Sequence, residues 1–232
     1  MTLLLDTDPQ ATASQWSQWR GGGDPEVVDC GAPSLLASKL DKSRDLGAEV
    51  VLIDTPPHAD AMARQAAKLA DLILIPCRPR AFDLAAIEAT SELVRSSGKP
   101  AFVVFNAGPP YAPLVYRDAA EVISGAFQLP IAPVVLSERA AFHHATASGR
   151  SAPELAADSK AAGEIDALWA WTRTQLGYPA LANDPLRLAP PLGAFDGQGS
   201  PSNALARRPH GAPQPGQSIG TASAAGLVRR PT

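Results

Sequence analysis

The sequence predicts an α/β protein whose mainly parallel sheet carries helices on both faces. Six short runs rich in Val, Leu and Ile recur along the first 179 residues, at 2–5, 26–30, 49–53, 72–76, 101–105 and 131–136. They are continuously apolar rather than alternating, as strands buried on both faces are. Longer stretches with helical spacing lie between them, and that alternation indicates strand–helix–strand units and a layered fold. In such sheets, ligands bind beyond the carboxyl ends of the strands, so the residues just after each run are the informative ones.

Each helical stretch has its own signal. In 59–70 the apolar Ala59, Met62, Ala63, Ala66, Ala67 and Ala70 repeat at three and four residues. Stretches 82–96, 116–127 and 159–176 read the same way. Trp16 and Trp19 stand three apart and are expected to pack one helix face; Trp169 and Trp171 are expected to dock the last helix on the sheet. The domain is placed at 1–178. Beyond it, residues 180–232 hold 8 Pro and 7 Gly among 53 residues and show no apolar periodicity. Such a composition buries too little apolar surface to offset chain entropy, so 179–232 is expected to be a disordered tail.

Charge narrows the function. Residues 1–179 carry 15 basic and 21 acidic side chains, and 180–232 carry 5 Arg and 2 Asp. This balance argues against coating nucleic acid by bulk charge but leaves room for a local basic patch. No apolar run reaches the eighteen residues a membrane span needs, and no membrane partner is expected. Cys30 and Cys77 each end an apolar run and read as buried free thiols in a reducing cytoplasm. Neighbouring His143 and His144 point about 100° apart on a helix, so they make a poor metal pair. No G-x-S-x-G element is present for a nucleophile elbow.

Three strand ends carry polar groups suited to chemistry. The first run ends in Asp6-Thr7-Asp8-Pro9-Gln10. Two carboxylates this close repel each other, and a cation nearby explains them; Asp8 before Pro9 also reads as a helix N-cap. The third run ends in Asp54-Thr55-Pro56-Pro57, a strand closing on a carboxylate that can hold the water shell of Mg²⁺ beside a nucleotide. The fifth ends in Asn106, whose amide can pair with a base edge or form a turn.

Taken together, LLLDTDPQATASQW, VVLIDTPP, ADLILIPCRPRAFDLAAI and VVFNAG, in this order and across about residues 1–175, resemble the ParA-type partition ATPases of the ParA/MinD class of deviant P-loop proteins. The resemblance implies a P-loop NTPase-like fold, ATP and Mg²⁺ as cofactors, and hydrolysis of ATP to ADP and phosphate in plasmid or chromosome partitioning. Asp8 then orients the attacking water. Asp6 and Asp54 serve the metal through water, Thr55, Pro56 and Pro57 form a switch loop, and Asn106, Pro133 and Ser137 face the base. Pro76, Arg78, Phe82 and Asp83 fall where the family builds its dimer interface, and His58 follows the switch prolines within reach of a phosphate. Arg139, Arg150, Lys160 and Arg173 become candidates for DNA phosphates, with ordinary solvated charge as the other reading. The implied partners are a second copy in the ATP-bound homodimer, non-specific DNA and a ParB-like protein, in the cytoplasm on the nucleoid.

The family's KGGVGKT loop does not occur in these 232 residues; Gly21-Gly22-Gly23 lacks the Lys-Ser/Thr that must follow. The resemblance therefore implies a chain without the family's first strand, loop and helix, and weak binding and hydrolysis of ATP by the chain alone. Two alternatives are a non-enzymatic remnant or interaction module of the same fold and a MinD-like positioning ATPase. The Gly- and Pro-rich tail offers no amphipathic face for the latter.

Overall fold

The computed structural model describes residues 1–57, 60–179 and 226–229. The order is β1 (Thr2–Asp6), α1 (Thr12–Arg20), β2 (Glu26–Asp29), α2 (Pro33–Asp45), β3 (Val50–Asp54), α3 (Ala61–Leu69), β4 (Leu72–Cys77), α4 (Ala81–Ser97), β5 (Ala101–Gly108), α5 (Pro113–Val122), β6 (Ile131–Ser137), α6 (Ala140–Ala147), α7 (Ala152–Leu155) and α8 (Lys160–Gln175). A π-helical turn, Ile123–Phe127, extends α5. All six strands read from the sequence are present. Helix α2 was not singled out by spacing, because it is mostly polar and buries only Leu36, Leu40 and Ser43.

The six strands form two parallel blocks, β2-β1-β3 and β4-β5-β6. Their residues explain the burial on both faces: Leu5, Ile53, Ile73, Val103 and Phe105 are almost wholly excluded from solvent. On one face, Leu36 and Leu40 of α2, Met62 and Ala66 of α3, Ile87 of α4 and Ala119 of α5 join one apolar core. On the other face, Ala167 and Trp171 of α8 pack on Val104, Ala132 and Val134. Trp171 meets Phe102 edge to face, with centroids 4.9 Å apart, a favoured geometry for two aromatic quadrupoles. Trp169 instead stays at the surface over Arg173, so one of the two tryptophans docks the helix. Trp16 lies beneath the Arg20 guanidinium, while Trp19 is 54% exposed, so the two do not form a common packed face.

Local chemistry fixes the helix ends. The Asp60 side chain accepts the Ala63 N–H at 2.9 Å and starts α3, and the Ser159 hydroxyl accepts from Ala162 to start α8. The Tyr178 hydroxyl, just past α8, donates to the Glu49 carbonyl at 3.0 Å and ties the end of that helix to the amino end of β3.

Between the two blocks lies a seventh strand, β7 (Gly226–Arg229), antiparallel to both neighbours. The sequence reading places all of 179–232 outside the sheet. Four of those residues are in it, and 180–225 and 230–232 lie outside the described residues. Strand pairing runs through the main chain, so a four-residue segment needs no helical or alternating periodicity to take this place.

Candidate functional site

Parallel pairing sets the carboxyl edge. Asp6 at the end of β1 is in register with Asp54 at the end of β3 and with Asp29 at the end of β2. Asp6 is fully buried. Its carboxylate accepts the Ser14 N–H and hydroxyl, both at 2.8 Å, and the Asp8 N–H at 3.2 Å. Ser14 thus holds Asp6 from the first turn of α1, a role the sequence reading did not assign. Thr7, also buried, donates its N–H and hydroxyl to the Asp54 carbonyl at 3.0 and 2.5 Å and locks the two strand ends together.

Asp8 is half-buried and accepts the Gln10 N–H at 2.8 Å. The alternative reading, Asp8 as N-cap with Pro9 in the first turn, does not hold. Helix α1 begins at Thr12, after Ala11 in the left-handed region at φ 52°. Asp8 therefore lies on the turn above the sheet edge. Burial, then the charges of Asp6 and Asp8, push the Asp54 carboxyl up to about 6. A carboxylate so placed favours a proton or a cation.

The loop after β3 is held inside the protein: Thr55 and Pro56 are buried and Pro57 half-buried. His58 lies outside the described residues.

A second polar region lies on the same edge, beyond β4. A cleft of about 530 Å³ is lined by Asn106, Ser137, Arg139, Arg78, Arg80 and Trp19, together with residues along the length of α6 from Phe142 to Ala147. Two irregularities in the β5–β6 ladder shape it. Ser137 pairs with Gly108 while Leu136 pairs with Asn106, so Ala107 is bulged out, at φ 48°. Bulges of this kind re-aim the neighbouring side chain. Gly108 is required next to it: a Cβ there would stand 2.4 Å from the Tyr116 hydroxyl, which crosses over to donate to the Pro109 carbonyl.

The second shift, between Val103 and Phe105, puts Pro133 in an irregular part of the edge strand β6. Proline is tolerated at such positions because it has no N–H to pair. Pro133 is not among the residues lining the cleft, whereas Asn106 and Ser137 are.

Glu164 of α8 organises this end and was not recognised from the sequence. It accepts the Ser137 N–H at 3.1 Å, the Ser137 hydroxyl at 2.8 Å and the Arg139 guanidinium at 2.6 Å. No local signal marks it, since its partners lie 25 and 27 residues away.

The four basic residues read as a DNA surface do not form one patch, although Arg139 and Lys160 both act on Tyr111. Arg139 is held in the cleft by Glu164. Arg150 is exposed beside the Arg20–Glu154 ion pair, and Lys160 is exposed against the Tyr111 ring and hydroxyl. Arg173 lies between the rings of Trp169 and Tyr178, 5.8 and 5.0 Å from their centroids. Lys160 and Arg173 stand at opposite ends of α8, about 20 Å apart by helical rise. Among the described residues no group of three or more His, Cys, Asp or Glu is set to hold a metal ion directly, and no helix is long and apolar enough to cross a membrane.

No protein-family model matches the chain. Curated relatives do. The chain is 28% identical over 172 residues to maintenance of carboxysome distribution protein A of Halothiobacillus neapolitanus, covering 69% of this chain and 77% of that protein. It is 32% identical over 179 residues to the protein of the same name from Gloeobacter kilaueensis, covering 72% and 81%. A shorter match, 36% over 82 residues, reaches Protein ParA of Rhizobium radiobacter, covering 34% and 36%. With that extent of similarity, and with Asp6, Asp8 and Asp54 on one edge of an α/β sheet, the chain belongs to the ParA/MinD-type family.

Proposed function

We propose that this chain works as a ParA-like positioning or partition ATPase. The register pair Asp6–Asp54 beneath Asp8 carries the reading. Three carboxylates gather at one sheet edge, and burial together with the charges of Asp6 and Asp8 raises the proton affinity of Asp54. Their hard oxygen donors suit Mg²⁺ held through its water shell, which when bound neutralises and orients phosphate oxygens. Asp8, on the turn above, accepts the proton of an attacking water, while Ser14 and Thr7 keep Asp6 and the Asp54 backbone in place. Thr55, Pro56 and Pro57 form the loop that responds to the terminal phosphate.

Asn106 and Ser137 are offered to the base. Asn106 stands three strand spacings from Asp54 and four residues further along its strand, about 14 Å across the sheet and about 13 Å along it. Pro133 serves the ladder rather than the base. In this reading the ATP-bound form pairs with a second copy, holds DNA non-specifically through exposed Arg150 and Lys160, and meets a ParB-like partner on the nucleoid. The two relatives named for carboxysome distribution make a large cargo the natural object of positioning.

The test is phosphate release. The chain is measured alone and joined, ahead of Met1, to a segment supplying a strand, a KGGVGKT loop and a helix, because three carboxylates repel a triphosphate unless donors neutralise it. Mg²⁺-dependent turnover is expected in the joined protein and is lost in its Asp8→Ala variant with ATP binding retained. Undiminished turnover in Asp8→Ala removes Asp8 from the chemistry.

A further inference from the structure

Helix α1 buries none of its residues, while α3 buries four and α8 six. Helices in folded proteins owe most of their stability to a packed apolar face. Apolar packing therefore does little to fix the place of α1, and polar contacts at its two ends tie it down. In the first turn, Ser14 gives the buried Asp6 carboxylate two hydrogen bonds, both to Oδ2. At the last residue, the Arg20 guanidinium forks onto Glu154 at 2.9 and 2.5 Å and donates to the Gly149 carbonyl at 3.1 Å. A forked pair of this kind fixes direction as well as distance.

Glu154 in turn accepts the Ser151 N–H and hydroxyl at 2.7 and 2.8 Å and closes the first turn of α7. These bonds, that from Arg20 first, hold its carboxyl down to about 2, so the clamp stays charged at neutral pH. The fit is close as well as polar. Gly149 has φ +67°, and a Cβ on it would stand 2.4 Å from the Arg20 nitrogen, so the turn leaving α6 lies directly on the end of α1.

The two ends of α1 serve different regions. Ser14 holds the carboxylate edge, while Trp19, next to Arg20, lines the cleft that α6 also lines. Six residues separate Ser14 from Arg20, about 9 Å of helical rise. A movement of the helix that loosens one end therefore pulls on the other.

We propose that α1 is a rigid link between the carboxylate edge and the cleft, and that Arg20 is its positioning residue: the grip on Glu154 and Gly149 sets Ser14, and through Ser14 the orientation of the Asp6 carboxylate. Coupling between two sites is reciprocal, so a change at Asp6 is felt at Trp19. The link needs no nucleotide, and its test is separate from that of phosphate release.

The experiment uses the full chain, isotope-labelled for NMR, without nucleotide or metal. Arg20→Gln and Glu154→Gln cut the clamp from its two sides. Each is expected to move the Asp6 carboxyl carbon resonance in the direction that Ser14→Ala moves it. Each is also expected to speed amide hydrogen exchange at Asp8 and Ser14 by roughly tenfold while the β4–β5 and β5–β6 ladders keep their protection. Arg20→Lys keeps the charge without the fork and is expected to fall between wild type and Arg20→Gln. Ser14→Ala is expected in turn to shift the Trp19 indole N–H resonance. With Ser14→Ala already present, Arg20→Gln should add nothing at Asp6, because the link is cut. The control, Arg44→Gln, removes the ion pair with Asp41 within α2 and leaves Asp6 and Ser14 unmoved. An Asp6 resonance unmoved in both clamp variants, or additive shifts in the double variant, overturns the proposal. Protection lost evenly across the ladders overturns it too, since Arg20 then serves stability alone.

Discussion

Asn in place of Asp54 should make the metal-free protein more stable at pH 8 and leave it unchanged near pH 3.5. Burial and the charges of Asp6 and Asp8 move the Asp54 carboxyl from its ordinary 3.8 to about 6. Between these values the folded chain keeps a proton that the unfolded chain has released. Stability therefore falls as pH rises through that window and is level above it. The full effect is about 3 kcal/mol, from 1.36 kcal/mol per pKa unit. Asn keeps the shape and removes the charge. The main-chain bonds from Thr7 go to the Asp54 carbonyl and survive the change. Urea unfolding of both proteins across pH 3.5–8 in the presence of a chelator isolates the difference, because other titrating groups cancel. The Asn variant should gain about 2–3 kcal/mol by pH 8, with the rise centred between pH 4 and 6. Mg²⁺ added at pH 8 should then stabilise the wild type and not the variant. An Asn variant no more stable than wild type at pH 8 would refute the crowding of charge at this edge.

Three further outcomes follow from the packing. Gly149→Ala should cost about 2–4 kcal/mol in urea unfolding, since φ is +67° and the new Cβ would stand 2.4 Å from the Arg20 backbone nitrogen, which cannot swing aside. Glu164→Ala should cost about 1–3 kcal/mol by orphaning the Ser137 N–H and the Arg139 guanidinium, and Glu164→Gln less; equal losses in the two would show that the bonds to Glu164 carry nothing. Cys77, whose thiol burial pushes up to about 12, should resist thiol reagents at pH 8 in the folded protein and react promptly in urea.

Much of the site was legible because it is written in strand ends. An apolar run that closes on a carboxylate tells which residue reaches the carboxyl edge, and parallel pairing then brings Asp6 level with Asp54. Asn106 was found the same way, Ser137 through the family resemblance, and both line the cleft. Pro133 was assigned to the base by the family resemblance. The ladder shift around it shows a structural reason for the proline that spacing does not reveal. The helix start at Thr12 rather than Pro9 was decided by Asp8 and Asp6 taking the local N–H groups for themselves.

The sequence by itself determined the layered α/β plan, the six strands and the identity of the carboxylates, because burial on two faces and strand-end position leave a local imprint in residue type. Only the tertiary structure decided which distant groups complete the site. Glu164 reaches Ser137 across 27 residues, the cationic side chains of α8 part company at its two ends, and Gly226–Arg229 enter the sheet between β3 and β4. These depend on main-chain pairing and charge contacts between segments far apart in the chain. Such contacts are chosen by the shape left over when the rest of the fold has packed, and no local pattern of residues records them.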